Sequence, residues 1–201
     1  MSALKKPRTI TEAEYLAMAD ASPVKLEFLG GVVYAKDEPL GEPLDGVVYA
    51  MAGAHPNHTR IPKNFDRAAV AVLDARGCQS FDSDQRVQLG ELGEYVYPDS
   101  TYVCGDPEFD GIALLNPTLI VEVLSPSTER RDRREKLPAY RAIPSIEQIL
   151  LIASDEPYVE SYRRHDELWV HETVRRLDAT IPVLGHPVLL RGIYRFIKFD
   201  L

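Results

Sequence analysis

At 201 residues, with 45 % apolar and 27 % charged side chains, the chain has the length and composition of one globular domain with a real hydrophobic core. A net charge of −8 and a pI near 5.2 exclude a protein that coats nucleic acid by bulk charge, although a local basic surface remains possible on such a background. No apolar run is long enough to span a bilayer, and Lys5, Lys6 and Arg8 are not followed by the apolar segment of a signal peptide. Cys78 and Cys104 are too few for a disulfide framework or a thiolate metal site, so a reduced, cytoplasmic protein is expected.

In chain order, Thr11-Glu12-Ala13-Glu14 has the spacing of a capping box and predicts a helix from Thr11 to Asp20. A short internal repeat follows. Glu27-Phe28-Leu29-Gly30-Gly31-Val32-Val33-Tyr34-Ala35 recurs fifteen residues later as Glu42 to Ala50, with seven of nine positions identical. One repeat is too little for a solenoid. It reads as a duplicated strand insertion around 27–50, whose two Gly-Val-Val-Tyr-Ala strands could pair as a hairpin. From Asn57 to Arg76, Ile61, Phe65, Ala69, Val72 and Leu73 recur at helical spacing, Gly77 supplies the stop, and Pro62 is expected near the first turn.

Strands are expected around Cys78–Phe81, Gln85–Leu89, Tyr95–Val103 and Thr118–Leu124, then a helix over Lys136–Arg141. Three more strands follow at Gln148–Ala153, Val159–Arg164 and Leu168–Thr173. The tail from Val188 to Phe199 is apolar enough to dock. Strands in the middle with helices before and after predict an α/β or mixed α+β fold, a sheet flanked by helices, as a single domain over residues 1–201.

Two features point to chemistry. Leu119-Ile120-Val121-Glu122-Val123-Leu124 reads as a fully buried strand with a carboxylate at its centre. An ionised glutamate there is costly unless a cation neutralises it. Tyr95-Val96-Tyr97-Pro98 ends in Asp99, where a proline interrupts the strand ladder. Asp99 and Glu122 from adjacent strands, with the backbone carbonyl of Val123, offer the hard oxygen ligands that Mg²⁺ or Mn²⁺ needs. Lys136, fourteen residues after Glu122, could orient a water or stabilise charge in phosphodiester cleavage. The bland readings are a buried Glu122 ion pair with Arg141 or Arg86, a turn residue at Asp99 and a surface lysine at Lys136. Arg130, Arg131, Arg133 and Arg134 form either a local basic surface or a solvated helix face paired with Glu129, Asp132 and Glu135. Asp82 and Asp84 read as turn residues, and His55 and His58 as helix-entry residues. The sequence has no Gly-rich phosphate loop, nucleophile elbow or zinc signature.

The run Val96-Tyr97-Pro98-Asp99, then Leu119 through Thr128, then Asp132 and Lys136 to Tyr140, resembles the large bacterial Uma family of restriction endonuclease-like proteins, within the PD-(D/E)XK nuclease superfamily. The resemblance extends from about Thr11 to the C-terminus and includes Tyr49-Ala50-Met51-Ala52-Gly53 and Asn57-His58. It implies a restriction endonuclease-like fold with a mixed sheet, and an endonuclease that hydrolyses DNA with Mg²⁺ or Mn²⁺. Asp99 and Glu122 are then the metal ligands, and Lys136 replaces the superfamily's lysine two residues after the glutamate, where Leu124 stands here. An auxiliary acid is implied at Glu27, with Glu42 as its copy in the repeat. Many superfamily nucleases act as dimers, so a homodimer is expected. Pro138 departs from the pattern: either the helix restarts there or the direction of Lys136 is disturbed. The alternative is a degenerate nuclease fold kept as a binding or dimerisation module.

Overall fold

The computed structural model describes residues 10–36, 55–90, 93–126 and 128–199. The second copy of the repeat, with Glu42 and Tyr49 to Gly53, lies outside them.

Helix α1 (Glu12–Ala21) starts as its sequence dictates: the Thr11 side chain accepts from the Glu14 amide while Glu14 reaches back to the Thr11 amide. Strands β1 (Leu26–Leu29) and β2 (Val32–Ala35) follow. They pair antiparallel with each other across Gly30 and Gly31, whose φ values of 57° and 77° suit a two-residue turn of this hand. The first copy of the repeat therefore folds on itself as a hairpin. Helix α2 (Pro56–Ala75) comes next. It begins one residue before its predicted start, so Pro62 lies inside it, removing the hydrogen bond to the His58 carbonyl at a cost of about 3 kcal/mol.

The middle of the chain forms β3 (Cys78–Asp82), β4 (Val87–Leu89), β5 (Glu94–Val96), β6 (Ser100–Cys104), β7 (Phe109–Asp110), β8 (Ala113–Leu114) and β9 (Leu119–Leu124). The predicted strand over Tyr95–Val103 is two strands, broken at Tyr97-Pro98-Asp99 as a proline in a ladder requires. After β9 the chain forms α3 (Glu129–Arg131), a π-helical segment (Asp132–Lys136) and α4 (Leu137–Ala142). Pro138 sits in the first turn of α4, where its missing amide has no partner to lose, so the helix restarts there. Then come β10 (Gln148–Ala153), β11 (Val159–His165), β12 (Leu168–Val174), β13 (Thr180–Val183), β14 (His186–Leu189) and α5 (Leu190–Ile193).

These strands make two mixed six-stranded sheets and a two-stranded ribbon. One sheet runs β2-β1-β5-β4-β8-β7, the other β12-β11-β10-β9-β6-β3, with β9 parallel to β10 and antiparallel to β6. Strand β9 is buried on both faces because alternate residues feed different cores. Leu119, Val121 and Val123 pack with Ile61 and Phe65 of α2 and Leu190 and Ile193 of α5. Ile120 and Leu124 pack with Leu137 and Tyr140 of α4 and with Leu29, Val96 and Leu114 of the first sheet. Tyr15 of α1 covers the far side of that sheet, stacked on Phe28 at 5.1 Å. The fold is the expected mixed α+β arrangement of sheets and flanking helices. Among the described residues no helix is long and apolar enough to cross a membrane.

One expectation is corrected. Cys78 and Cys104 stand opposite each other in the β3–β6 register and form a disulfide, so the thiols are not free. Antiparallel pairing brought them together, which two isolated cysteines in a sequence do not announce.

Ile61 is fully buried between α2 and β9, so Ile61→Ala is expected to destabilise the protein by about 2–5 kcal/mol in urea unfolding. Leu168→Ala, at a side chain 72 % exposed on the edge strand β12, should change stability by less than about 0.5 kcal/mol.

Candidate active site

Glu122 lies on the α4 face of β9, at an even position in the alternation that buries Ile120 and Leu124. Sheet formation alone would leave this carboxylate in an apolar layer. The π-helical segment and α4 supply what neutralises it. Lys136 Nζ is 3.1 Å from Glu122 Oε1, and the Tyr140 hydroxyl donates to the same oxygen at 2.5 Å. Lys136 and Tyr140 are four residues apart, one helical step, so both reach the strand from one face.

Asp99 belongs to the break between β5 and β6, directly before Ser100, which pairs with Val121. Its Oδ2 accepts from the Val123 amide at 2.8 Å, which ties the aspartate to the strand of Glu122. The β6–β9 rungs end at Val121, and the Val123 amide and carbonyl project from the same strand edge, towards Asp99. Lys36, just after β2, is 3.2 Å from Asp99 Oδ1, and His58 Nε2 of α2 is 3.4 Å from Oδ2.

Glu27 is completely buried on β1. Its Oε1 accepts from the Tyr97 amide at 2.9 Å and lies 3.1 Å from Lys136 Nζ, and its Oε2 meets the guanidinium of Arg131. Asp132 completes the group, 3.5 Å from Lys136. The fold thus brings Asp99, Glu122, Lys136 and Glu27 together from four separate elements. Asp99, Glu122, Asp132, Lys36, His58 and Lys136 border one small cavity of about 10 Å³, enough for about one water. Glu27 does not border it; it sits behind Lys136.

The electrostatics follow from burial. Among these residues, four carboxylates (Glu27, Asp99, Glu122, Asp132) face three permanent cations (Lys36, Arg131, Lys136). Burial pushes the Glu122 carboxyl up, Lys136 only partly offsets it, and Asp132 and Asp99 add to the rise, leaving it at about 7. Burial also acts against ionised Asp99, but Lys36, His58 and the Val123 amide outweigh it and hold that carboxyl below its ordinary range. Desolvation disfavours the Lys136 ammonium, yet Glu122 and Asp132 more than compensate, and it stays protonated.

The donor set fits a small hard divalent cation. Two carboxylates and one strand carbonyl converge, and ammonium groups occupy the positions where cationic charge is needed. No trio of His, Cys, Asp or Glu among the described residues is placed to hold a metal.

Other sequence readings resolve as follows. Arg131 leaves the basic cluster for the interior and lies 4.8 Å over the Tyr34 ring, whereas Arg133 pairs with Glu129 and Glu160. Arg86 donates to Tyr97 at 2.9 Å, and Arg141 stacks over Tyr162, so neither neutralises Glu122. Asp82 accepts from the Asp84 amide and Asp84 pairs with Lys25, as turn residues do. His55 caps α2, but His58 is turned to Asp99, a role that helix entry does not cover. Reasoning from sequence missed Lys36, His58, Arg131 and Tyr140; only the step from Lys136 to Tyr140 was a usable signal. A larger groove of about 570 Å³ opens from Asp99 between α2 and β3, with exposed Lys63 on its wall and Ser80 and Ser100 on its floor.

Comparison with known proteins bears on this geometry. The family profile described as "Uma2: Putative restriction endonuclease" matches residues 37–191. A Synechocystis protein, "Uncharacterized protein sll1609", is 31 % identical over 174 residues, covering 85 % of this chain and 90 % of its own. A second from the same organism, "Uncharacterized protein slr1290", is 32 % identical over 127 residues, covering 63 % and 67 %. A crystal structure from Anabaena variabilis, "a putative nuclease belonging to DUF820", has the same fold. Its TM-score is 0.66 at 19 % identity, over 94 % of this chain and 99 % of that one.

The raised Glu122 carboxyl has a measurable signature. Unfolded, it titrates near 4.5; folded, near 7, so between those values the folded state holds the proton more tightly. Its contribution to stability is full below about pH 4.5 and is lost as pH rises to about 7. In EDTA, wild type should lose stability relative to Glu122→Gln across that window and run parallel to it above. Parallel urea-unfolding curves throughout would remove the premise.

Proposed function

The chain belongs to the Uma2 family, whose profile bears the description "Putative restriction endonuclease", and we propose that it is a metal-dependent endonuclease hydrolysing phosphodiester bonds of DNA. The observation that supports this reading is the convergence of Asp99 and Glu122 on one cavity, with the Lys136 ammonium 3.1 Å from Glu122. Asp99, Glu122 and the Val123 carbonyl would hold Mg²⁺ or Mn²⁺. When bound, such an ion acidifies a water, polarises a phosphate oxygen and balances charge on the leaving oxygen.

The chain's own residues do the rest. Lys136 points its ammonium into the cavity, where it orients the attacking water and stabilises the charge that builds on the phosphate. Glu27 acts through Lys136: with Oε1 on that lysine and Oε2 against Arg131, it is a positioning residue. Tyr140 fixes the Glu122 carboxylate by its hydroxyl. Lys36 and His58 hold Asp99 in the resting arrangement and come into reach of a phosphate entering from the groove. Cutting both strands of a duplex takes two such centres, and a homodimer on DNA supplies them.

Plasmid cleavage with Mg²⁺ or Mn²⁺ tests the reading. Wild type should nick or linearise DNA, and Asp99→Asn, Glu122→Gln and Lys136→Gln should each lose about a hundredfold or more, the size typical of removing one charge-stabilising group. Each replacement keeps a polar side chain but leaves a buried partner without its counter-ion, so activities are compared only among variants whose circular dichroism matches wild type. Well-folded wild type that cleaves no DNA with either ion would move the assignment to a degenerate binding module. Sedimentation on a short duplex should read two protein chains per DNA; a one-to-one complex would discard the homodimer.

A further inference from the structure

The turn after α5 carries a strained residue that this chemistry does not use. Phe196 holds a φ of 62°, the left-handed region that a bulky side chain avoids. Its ring is nonetheless 68 % exposed. Neither feature serves folding. An exposed ring buries little apolar area, and glycine would adopt the same backbone without strain.

The surrounding structure imposes this conformation through one flank of α2. The buried Asn64 donates from Nδ2 to the carbonyls of Ile193 at 3.0 Å and Arg195 at 2.6 Å. Arg60 donates to the Phe196 carbonyl at 3.1 Å, and Asn57 to that of Lys198 at 3.1 Å. Positions 57, 60 and 64 are three and four residues apart, so they line one side of the helix. Strain over-determined in this way is found where a protein needs a side chain presented.

What surrounds the ring selects its partner. The Arg195 guanidinium lies 4.6 Å from the ring centroid. Arg60 and Lys198 flank the turn, and none of these three cations forms a salt bridge among the described residues. An aromatic ring backed by cations that have no acidic partner among the described residues, on a chain of net charge −8, is complementary to a polyanion with stackable faces. The place fits too. Asn57 also donates to the Ser154 carbonyl at 3.0 Å, and the Ser154 amide donates to Leu124, the last residue of β9. His58, the next residue, reaches Asp99. The turn therefore sits at the same end of the sheet as Asp99 and Glu122.

We propose that the Phe196 turn is a nucleic-acid contact, in which Phe196 inserts into the base stack of the substrate while Arg60, Arg195 and Lys198 hold the flanking phosphates. Side chains of this kind unstack a base step and bend the strand around the protein. The identity of the polyanion rests on the nuclease reading of the adjoining centre.

The test is fluorescence anisotropy of a labelled DNA duplex with intact protein in EDTA, where cleavage plays no part. Phe196→Gly relieves the backbone strain, so its melting temperature should equal or exceed that of wild type. Its affinity should fall roughly fivefold to a hundredfold, the size of one lost base stack. Phe196→Trp should retain affinity and add a tryptophan emission quenched by DNA, beyond the response of Trp169 in wild type. Lys198→Gln should weaken binding and reduce its salt dependence by about one phosphate contact.

Phe196→Gly binding DNA as tightly as wild type overturns the inference, as does a Phe196→Trp emission indifferent to DNA. Wild type that binds no duplex at low salt overturns it as well. Binding lost with Phe196, in a protein that cleaves nothing, supports the contact while the nuclease reading falls. Cleavage and binding both unchanged in Phe196→Gly sink the contact and leave the nuclease standing.

Discussion

A carboxylate held inside a two-faced strand, and the lysine that answers it, organise this structure. Strand β9 is covered by α2 on one side and by α4 and the first sheet on the other, so Glu122 is buried apart from the small cavity it borders. An ion buried this way is tolerable only with a partner at hydrogen-bonding distance. Lys136 and Tyr140 provide it, and the segment carrying them must therefore run against β9 at this height. Glu27 and Asp132 satisfy the remaining reach of Lys136, which binds the first sheet to the second through a single ammonium group. Even so, the named carboxylates outnumber the permanent cations. Burial, which Lys136 only partly offsets, raises the Glu122 carboxyl to about 7, and Asp132 and Asp99 add to the rise.

An acidic protein is compatible with the polyanionic substrate proposed for it. The net charge of −8 is an average over the whole chain. Locally, Lys36, Lys136 and Arg131 are drawn into the centre by buried carboxylates, while Arg60, Arg195 and Lys198 gather at the Phe196 turn without acidic partners among the described residues. Paired cations near Asp99 and Glu122 keep the fold intact; those at the turn are the ones the proposed contact assigns to phosphate. Bulk charge is a poor guide to such a division because salt screens exposed charges over about 8–10 Å, whereas buried pairs act at contact.

Three departures from local structural preference lie on α2, on the segment that carries Lys136 and on the turn after α5. Pro62 interrupts α2 one turn after His58, a π-helical segment carries Asp132 and Lys136, and Phe196 takes a left-handed backbone beside the α2 N-terminus. Sequences agree with their folds at most positions and break local rules where another requirement dominates. In the π-helical segment that requirement is visible. Both Asp132 and Lys136 of this segment point inward, and α4 follows with Pro138 in its first turn.

By itself the sequence determined those features that depend on neighbours along the chain. The Thr11–Glu14 cap, the helical spacing of Ile61, Phe65, Ala69 and Leu73, the unbroken apolar run around Glu122 and the proline stop before Asp99 are local patterns, and the elements form where those patterns lie. Asp99, Glu122 and Lys136 stood out because each breaks or punctuates such a pattern, and Glu27 came only through family resemblance. Tertiary structure decided what depends on contacts between distant segments. It turned His58 and Lys36 onto Asp99, drew Arg131 inward to Glu27, set Cys78 against Cys104, and pinned Phe196 outward from α2. None of these has a sequence signature, because a side chain's partner is set by which strands pair and in what register, and that follows from burying the whole core at once.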